Sequence, residues 1–461
     1  MATLLILVFV LGYLLIALEH NLHIDKAASA LITGTLCWAI LVLGWHQAPD
    51  HLVDSFHDFL HGHGGDGHGG LKVFFEHRLL HHMEEISSIL FFLLGAMTIV
   101  ELVDAHNGFA VITDRIKTRK KGRLLWIIAT LTFFFSAALD NLTTSIVMIS
   151  LLRKLIADKP TRWLFAGAVI ISANAGGAWS PIGDVTTTML WIGGQLTTPV
   201  IVTHLILPSI VCMVVPIGIM SMRMKGEVDR PDQTDPDEAA DPTTQGERNL
   251  IFAMGVSGLL FVPVFKTVTH LPPFMGMMLS LGVLWLTTEV LHRSKNDQER
   301  SKLSVVGVLR KIDTASVMFF LGILLAVGAL QEAGHLIATA DWLRDSLGDV
   351  YLINIAIGLL SAIVDNVPLV AASMGMYEVA APGTMDAWMD FFVKDGIFWQ
   401  FLAYCAGTGG SALIIGSAAG VAVMGLEKID FVWYMKRMSL LAIAGYLAGA
   451  AVYWLMFGMG A

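Results

Sequence analysis

The stretch 136–150 reads SAALDNLTTSIVMIS and places Asp140 and Asn141 side by side inside an apolar run. A charged side chain at the centre of a bilayer costs about 2.5–3.5 kcal/mol on insertion scales, so such a residue in a membrane segment usually has a function. The pattern recurs at 361–375 as SAIVDNVPLVAASMG, with a second Asp-Asn pair in the matching place. Two copies of one costly feature indicate an internal repeat that carries a polar site inside the membrane.

The composition of the whole chain agrees with a membrane location. Of its 461 residues, 55% are hydrophobic and 15% are charged, and the mean hydropathy is +0.68. A water-soluble globular protein of this length has a larger charged fraction, so we predict an all-α polytopic membrane protein. The cysteines, Cys37, Cys212 and Cys405, lie in apolar runs without motif spacing, and we predict that they are buried and form no disulfide.

Several function classes have no motif in this sequence. The basic residues lie in short loops between apolar segments rather than in one patch, so nucleic-acid binding has no support. No nucleotide-binding motif, metalloprotease motif or nucleophile elbow occurs. We therefore predict that the protein is not an enzyme and needs no cofactor.

Two apolar segments are too long for one membrane span and too short for two. The first, 124–152, contains 29 residues. One straight helix of that length would measure about 43 Å, against a hydrocarbon core of about 30 Å, and two arms of about 14 residues would each be too short to cross. Basic residues flank both ends of the segment. We predict a re-entrant hairpin there, with Asp140 and Asn141 at its tip, and a second hairpin at 351–380.

Each predicted hairpin is followed by an apolar segment whose centre is rich in glycine. These segments are 163–195, with the centre NAGGAWSPIGDVTTT, and 396–425, with the centre GTGGSALIIGSAAG. Glycine and proline together break a helix, and two half-helices around an unwound centre are typical of transporter binding sites. The order of hairpin and broken helix predicts two repeats, 1–222 and 249–461, joined by a flexible cytoplasmic linker at 223–248.

The distribution of basic residues predicts that the second repeat is inverted relative to the first. Most of the 29 Lys and Arg residues fall in segments that the inverted arrangement places in the cytoplasm, as the positive-inside rule requires. Both termini are then outside the cell. The His-rich segment 46–82 is also outside, and we expect a mobile, hydrated loop there, with metal binding or pH sensing as the alternative.

Four motifs carry a resemblance to a known family. SAALDNLTTS, SANAGGAWSPIGDVTTT, SAIVDNVP and GTGGSALIIGSAAGV follow one another in the order found in NhaD-type sodium/proton antiporters, and HHMEEISSILFFLLGAMTIVELVD in the third span looks like the same family. The resemblance covers nearly the whole chain. It implies the ion transporter superfamily fold, with two inverted repeats that each contain a re-entrant hairpin and a broken transmembrane helix, and it implies a homodimer.

The resemblance also implies the activity. An NhaD-type protein would exchange Na⁺ or Li⁺ for H⁺ in support of sodium and pH homeostasis, and we expect it in the bacterial inner (cytoplasmic) membrane. A carboxylate binds Na⁺ when it is ionised and H⁺ when it is neutral, so each ion displaces the other. The transported ions and the lipid bilayer are then the main partners of the chain.

The candidate site consists of oxygen-bearing side chains at the hairpin tips and helix breaks. Hard cations take oxygen ligands, and freed carbonyls in such breaks favour cations. The predicted cation- and proton-binding residues are Asp140, Asn141, Thr143, Asn174, Ser180, Asp184, Thr186, Asp365, Asn366, Thr408 and Ser411, with Thr144, Thr187 and Ser417 beside them. Among these, Asp140, Asp184 and Asp365 are the predicted carboxylates for Na⁺.

Other polar residues are predicted to support the site, and each has an alternative role. Ser136 and Ser361 open the two hairpin motifs and act either as ligands or as close-packing residues. The Asp residues of the Asp-Asn pairs alternatively cap half-helices. Residues that flank the third span either pass protons and sense pH or form a solvated interfacial face, and they are Glu84, Glu85, Glu101 and Asp104.

Two other kinds of transporter remain as alternatives. The first is an anion transporter or arsenite exporter of the same superfamily. Paired intramembrane carboxylates disfavour an anion site, although a neutral arsenite-like substrate is harder to exclude. The second is a channel. Inverted repeats with broken midplane helices argue against it, because they favour alternating access over an open pore.

Overall fold

The computed structural model describes residues 1–17, 19–22, 24–47, 49–63, 67–113, 116–231, 243–293, 295–383 and 386–459. Among these residues the regular structure is helical, apart from two isolated β-bridges. The helices of the first half are α1 Ala2–Ala17, α2 Glu19–Leu22, α3 Lys26–Leu43, α4 Asp50–His63, α5 Gly67–Ala105, α6 Ala110–Thr113, α7 Lys121–Leu139, α8 Asn141–Leu155, α9 Lys159–Ala178, α10 Val185–Ile192 and α11 Thr198–Arg223.

The second half contains the remaining helices. They are α12 Gln245–Thr269, α13 Pro273–Leu291, α14 Asp297–Leu303, α15 Val305–Leu309, α16 Thr314–Glu332, α17 His335–Leu347, α18 Val350–Leu360, α19 Asn366–Met376, α20 Ile397–Gly409, α21 Ala418–Glu427, α22 Phe431–Arg437 and α23 Ser439–Phe457. In the described part of the chain, eight helices are long and apolar enough to cross a membrane, namely α3, α5, α7, α11, α12, α13, α16 and α23.

The two glycine-rich segments and the two Asp-Asn segments each form a pair of helices around a break. We call α7–α8 hairpin 1, α9–α10 broken helix 1, α18–α19 hairpin 2 and α20–α21 broken helix 2. Hairpin 1 breaks at Asp140, whose φ of 85° lies in the region that is unusual for a residue other than glycine. Broken helix 1 is unwound over 179–184, and broken helix 2 continues from α20 into a short 3-10 turn before it unwinds at 413–417.

Both ends of hairpin 1 lie against the same short segment of chain. At its start, Lys121 N donates to Gly226 O at 3.0 Å, and just beyond its end Ala157 N donates to Asp229 O at 2.8 Å. The two ends therefore meet on one side of the fold, as a hairpin requires, rather than on opposite sides as in a continuous span.

The ends of hairpin 2 also meet, at the start of broken helix 2. Near its beginning, the Tyr351 ring lies 5.6 Å from the Phe401 ring, measured between centroids. At its end, the Tyr377 ring lies 4.7 Å from the Phe398 ring. Phe398 and Phe401 are neighbours on one turn of α20, so the two arms of hairpin 2 return to the same place.

The two serines that open the hairpin motifs hold the hairpins to the broken helices in matching ways. Ser136 Oγ donates to Ala173 O at 2.6 Å in the first repeat, and Ser361 Oγ donates to Ala406 O at 3.2 Å in the second. These hydroxyls already have backbone acceptors and are fully buried. Their contacts favour the close-packing role over the ligand role.

Glycines in the broken helices permit this close approach. A side chain at Gly176 would collide with the carbonyl oxygen of Phe133, and a side chain at Gly409 would collide with that of Gly358. Phe133 and Gly358 each lie three residues before the serine of their hairpin. The two repeats therefore use the same backbone contact, and glycine is required at both places.

A second packed unit lies beside the hairpins. Helices α3 and α16 cross at small residues, since Gly34 faces the backbone of Gly322, and Trp38 Nε1 donates to Leu325 O at 2.9 Å. Helix α1 packs against the same pair, with Gly12 facing the side chain of Thr33. This unit presents the first residue of α3, Lys26, towards hairpin 2.

The structure corrects the prediction of a mobile, hydrated loop at 46–82. The described residues of this segment lie mostly in α4 and in the N-terminal half of α5, which runs unbroken into the predicted third span. Aromatic side chains explain the difference, because Trp45 packs edge-on against Phe56 and Phe75, whose ring centroids lie 5.3 and 5.5 Å away. Residues 48 and 64–66 lie outside the described part of the chain.

The predicted flexible linker at 223–248 is ordered at both described ends. Its first part contains the hydrogen-bonded residues that meet hairpin 1, and residues 232–242 lie outside the described part of the chain. Helix α12 begins at Gln245, where the Thr244 and Glu247 side chains form a capping box. At the end of the chain, the apolar segment 431–456 forms two helices rather than one, since α22 ends at Arg437 and α23 begins at Ser439.

Candidate functional site

The side-chain amide of Asn174 joins the two repeats at the centre of the fold. Asn141 Nδ2, at the tip of hairpin 1, donates to Asn174 Oδ1 at 3.1 Å. Asn174 Nδ2 donates to Ser411 Oγ and to Ser417 Oγ, both at 2.9 Å and both in the break of broken helix 2. All four side chains are buried. The structure thus brings four of the polar residues singled out from the sequence into one network.

Asp140 precedes α8 and accepts two hydrogen bonds from one residue, Thr143. Its Oδ1 accepts from Thr143 N and its Oδ2 accepts from Thr143 Oγ1, both at 2.8 Å. The alternative helix-capping role is therefore present here. Asp140 also lies directly beside Asn141 in the central network, so capping and ion binding are compatible at this position.

Asp184 caps α10 with one oxygen and leaves the other without a partner. Its Oδ1 accepts from Thr186 N at 3.3 Å. Its Oδ2 is buried and makes no hydrogen bond within the described part of the chain, and the Thr186 side chain lies close to the carboxylate. Both Asp140 and Asp365 lie close enough to Asp184 to repel its charge. An unpaired carboxylate oxygen in the interior is costly, so this atom is the most conspicuous candidate ligand in the site.

Asp184 lies close to Gly407, a residue that the sequence analysis did not single out. In the paired motifs ANAGG and AGTGG, Gly407 occupies the place of Asn174. A Cβ at Gly407 would lie 3.1 Å from Asp184 Oδ2. The side chain that fills the first repeat is thus absent from the second, and an alignment of the two motifs would have revealed it.

The same asymmetry affects the second Asp-Asn pair. Asn141 bonds to Asn174, but the equivalent Asn366 has only Gly407 in the corresponding place. Asn366 Nδ2 is buried and has no acceptor within the described ranges. Asp184 and Asn366 therefore each carry a buried polar atom without a partner in the described part of the chain.

Asp365 lies in a different environment from the other two carboxylates. Its Oδ1 accepts from Val367 N at 3.3 Å and so caps α19. Its Oδ2 lies 3.8 Å from Lys26 Nζ, at the N-terminal end of α3. Of the three predicted Na⁺ carboxylates, Asp365 thus has a basic partner, which the sequence analysis missed because Lys26 is distant in the chain.

Two of the predicted ligand hydroxyls donate to backbone carbonyls, whereas other buried hydroxyls make no hydrogen bond among the described residues and could coordinate an ion. Ser180 Oγ donates to Ala137 O at 2.5 Å, and Thr408 Oγ1 donates to Tyr404 O at 2.6 Å, so both have structural roles. Other buried hydroxyls have no hydrogen-bond partner in the described part of the chain, namely those of Thr144, Ser145, Ser172 and Thr186. Ser145 and Ser172 were not predicted, because serine in an apolar helix gives no distinctive pattern.

The predicted supporting acids of the third span lie away from this network. Glu84 and Glu85 line a cavity of about 510 Å³ together with His81 and Lys266. The cavity also reaches Gly375 on hairpin 2. The structure therefore places these acids beside a hairpin rather than in the central network.

The remaining acids of the third span and the cysteines have ordinary surroundings. Glu101 pairs with Lys311 across 3.9 Å. The three cysteines are free and buried, as predicted. Among the described residues, no group of three or more His, Cys, Asp or Glu side chains is arranged to hold a metal ion.

Comparisons with known proteins agree with this architecture. Residues 13–392 match the family CitMHS, described as citrate transporter. The chain is 46% identical to sodium/proton antiporter 1 of Arabidopsis thaliana, over 97% of this chain and 71% of that protein. It is 30% identical to the Na⁺/H⁺ antiporter NhaD of Vibrio cholerae, over 98% of this chain and 91% of that protein.

A solved structure shares the fold. The YdaH transporter of Alcanivorax borkumensis superposes with a TM-score of 0.52 at 12% identity, over 85% of this chain and 90% of that one. The predicted fold class and the resemblance to NhaD-type proteins are confirmed. Because these relatives are transporters, the prediction that the chain is not an enzyme is confirmed as well.

Proposed function

The chain belongs to the citrate transporter family CitMHS and is similar over nearly its full length to Na⁺/H⁺ antiporters, and on this basis we propose that it exchanges Na⁺ for H⁺ across a membrane. The observation that carries the proposal is the buried Asp184 Oδ2, which makes no hydrogen bond in the described structure and lies beside Gly407. Either a cation or a proton on this oxygen would remove the cost of leaving it unpaired.

The exchange follows from competition at this oxygen. With Na⁺ bound, Asp184 is ionised and its charge is neutralised by the ion. When Na⁺ leaves, a proton takes the same place, because a bare carboxylate in the interior repels Asp140 and Asp365 and is poorly solvated. The site is therefore loaded with either Na⁺ or H⁺ whenever it changes sides.

Neighbouring oxygens complete the proposed Na⁺ site. The unpaired Thr186 Oγ1 belongs to the same helix start as Asp184. Asn366 lies in the equivalent place to Asn141, and a half-turn of its amide would present oxygen instead of nitrogen. Asp140 supplies a second carboxylate through hairpin 1, and Asp365 a third through hairpin 2. Hydroxyl, amide and carboxylate oxygens are the ligand types that a hard cation takes.

An anion such as citrate is a poorer match for these residues. Three carboxylates converge on the breaks, and the central network of Asn174 contains amides and hydroxyls without a basic group. An anion there would be repelled by Asp140 and Asp184, because in the described structure Lys26 pairs with Asp365 alone among the three carboxylates. The argument does not apply to a neutral arsenite-like substrate, because the carboxylates do not repel an uncharged molecule.

Several finer properties belong to the same proposal. We expect Li⁺ to replace Na⁺, since both are small hard cations. We also expect the protein to act as a homodimer in the bacterial inner membrane, with both termini outside, and to support sodium and pH homeostasis. Light scattering of the purified protein in detergent would show whether two chains associate.

The decisive experiment measures proton movement in proteoliposomes. Purified protein is reconstituted with a trapped pH dye and an acidic lumen, and NaCl, LiCl, KCl or choline chloride is added outside over a range of pH. Na⁺ and Li⁺ are expected to make the lumen alkaline, whereas choline is not. Asp140→Asn and Asp184→Asn are expected to lose this response, because neither side chain can then alternate between Na⁺ and H⁺.

A matched control separates ion binding from helix capping. Asp158 caps α9 by accepting from Thr161 N at 2.9 Å, outside the central network. Since asparagine caps helices as well as aspartate does, Asp158→Asn is expected to keep the wild-type response. Folded wild-type protein that moves no protons with any of these cations at any pH would overturn the antiporter proposal, and uptake of citrate and arsenite would be measured next.

A further inference from the structure

Lys26 is a basic side chain placed directly against the proposed transport site. Its Nζ lies 3.8 Å from Asp365 Oδ2, and the two side chains are 19% and 15% exposed. The same Nζ lies 4.5 Å from the centre of the Phe319 ring. Lys26 is therefore held between a carboxylate of hairpin 2 and an aromatic face of α16.

The two partners of this ion pair belong to different parts of the fold. Lys26 is the first residue of α3, where Asp25 caps the helix by accepting from Ala27 N at 2.8 Å. Helix α3 is packed closely on α16 through Gly34 and Gly322. Asp365 instead caps α19 at the tip of hairpin 2. The ion pair thus joins the α3–α16 pair to a hairpin that carries part of the site.

Other charged and titratable groups near the pair do not replace Lys26. Tyr13 on α1 approaches Asp365 and is uncharged as a phenol. Asp184 and Asp365 repel each other. Glu19 lies on the other side of Lys26, where its Oε1 is 3.5 Å from Lys26 N. Within the described part of the chain, the basic side chain that pairs with Asp365 is Lys26.

A cation at Asp365 therefore meets a carboxylate that already has a positive partner. An ammonium and Na⁺ draw on the same negative charge, and the attraction of one is weakened by repulsion from the other. The lysine cannot diffuse away, because its backbone is fixed in α3. Its effective concentration at Asp365 is set by the fold, whereas that of Na⁺ is set by the solution.

We propose that Lys26 is a tethered cation that competes with Na⁺ for Asp365 and holds hairpin 2 against the α3–α16 pair until Na⁺ takes its place. This inference rests on the proposed function and adds a positioning residue to it. In this arrangement Lys26 sets how much Na⁺ is needed to load the site. It also links ion binding to the release of hairpin 2.

The test measures Na⁺ binding without transport. Purified full-length protein is heated at increasing NaCl, with choline chloride added to keep the ionic strength constant, and the Na⁺ concentration that gives half of the stabilisation is recorded. Ligand that binds the folded state raises the unfolding temperature, so this midpoint reports affinity. Lys26→Met is expected to lower the midpoint by about tenfold, equivalent to about 1.4 kcal/mol of removed competition.

Four further variants make the result specific. Lys26→Arg keeps the positive charge and is expected to leave the midpoint near the wild-type value. Asp365→Asn removes the shared carboxylate, so adding Lys26→Met to it is expected to produce no further change. Lys311→Met is the matched control. Lys311 Nζ lies 3.9 Å from Glu101 Oε1, and this similar pair is not at a hairpin tip.

The possible outcomes separate this inference from the proposed function. A wild-type protein with no Na⁺-specific stabilisation overturns both. A clear wild-type response whose midpoint is unchanged or raised by Lys26→Met overturns the competition alone, as does an equal effect of Lys26→Met with and without Asp365. If Lys26→Met does not fold, Lys26→Gln keeps a polar end without the charge and is judged by the same outcomes.

Discussion

At the scale of single residues, the site is asymmetric because one position holds a side chain and its counterpart does not. Asn174 fills the first repeat and bonds to Asn141, Ser411 and Ser417. Gly407 has no side chain at the equivalent place, where Asp184 Oδ2 would lie 3.1 Å from an added Cβ. The two related halves thus differ, with a hydrogen-bonded network around Asn174 and a buried Asp184 oxygen without a partner among the described residues, which is the ion site that we propose.

A methyl group added at Gly407 should weaken Na⁺ binding without unfolding the protein. A Cβ at Gly407 would lie 3.1 Å from Asp184 Oδ2, which is tight but not a severe clash. We expect Gly407→Ala to raise the Na⁺ concentration for half-maximal exchange by about tenfold, the effect of about 1.4 kcal/mol. Gly425→Ala, in open space on the same broken helix, should leave it unchanged. Equal effects of the two substitutions would show that Na⁺ does not bind beside Gly407.

A second residue-level prediction concerns a histidine pair outside the membrane spans. His106 Nδ1 lies 2.6 Å from Leu102 O, which can only accept, so Nδ1 carries the proton. His106 Nε2 then accepts from His292 Nε2 at 2.7 Å. His292 Nδ1 is left bare, 3.7 Å from Glu247 Oε1. Burial lowers the pKa of His292 to about 4, and the neighbouring His106 acts in the same direction.

The sign of the resulting pH dependence follows from this lowered pKa. As pH falls from 6.5 to about 4, the unfolded chain binds a proton at this histidine and folded His292 does not. Acid therefore favours unfolding in that window. We expect His292→Gln to reduce the fall in unfolding temperature between these pH values, whereas His57→Gln, at an exposed site on α4, should not. A steeper fall in His292→Gln would contradict the assignment.

At the scale of helices, each broken helix is tied at its end to the start of the other. After α10, Thr197 N and Thr197 Oγ1 donate to Asp395, just before α20, at 2.6 and 2.9 Å. At the end of α21, Glu427 accepts from Arg153 Nε at 2.7 Å and from Arg162 Nε, near the start of α9, at 2.8 Å. These two junctions fix the positions of the four half-helices, α9, α10, α20 and α21, relative to one another around the site.

The Glu427 junction predicts a measurable loss of stability. Glu427 is almost fully buried and bonds to two arginines, so Glu427→Gln removes the charge that both require. We expect a loss of about 1.5–3 kcal/mol in the free energy of unfolding, the range for hydrogen bonds to charged groups. Titration with SDS in mixed micelles would measure it. Glu289→Gln breaks an exposed pair with Arg300 and should cost less than about 1 kcal/mol; a similar loss in both would argue against the junction.

The sequence predicted those helices whose pattern is local and missed those that depend on distant partners. Glycine and proline at 176–183 break a helix wherever they occur, and the Asp-Asn pair marks a hairpin tip by its cost alone. The start of α5 carries no such local signal, because its polar residues read as a loop. Its helix is fixed by Phe74 and Phe75, which need Trp45 from another element.

At the scale of the whole molecule, the two hairpins return to different segments. Hairpin 1 closes on 226–229, and hairpin 2 closes on the start of broken helix 2. The sequence could predict the hairpins from segment lengths and basic residues, but not the segments on which they close. It could not predict the pair of Lys26 with Asp365, since no spacing rule connects residues so far apart. Glycine at 407 in the place of Asn174 could have been found by aligning the two motifs.

The predicted orientation in the membrane can be tested with single cysteines. Ser301 lies in a segment predicted to be cytoplasmic and Ser346 in one predicted to be outside, and both are exposed in the structure. Since the native cysteines are buried, their background labelling should be low. A maleimide that cannot cross membranes should label Ser346→Cys in intact bacteria, and Ser301→Cys only after lysis. The reverse pattern would place both termini in the cytoplasm.

The four breaks have a further electrostatic consequence. Four helices begin at the site, α8, α10, α19 and α21, and four end there, α7, α9, α18 and α20. A helix start carries about half a positive charge from its aligned peptide dipoles, and a helix end about half a negative one. Eight converging ends therefore nearly cancel, and the backbone alone selects neither cations nor anions. Charge selection in the proposed site would then come from side chains such as Asp184 rather than from the fold.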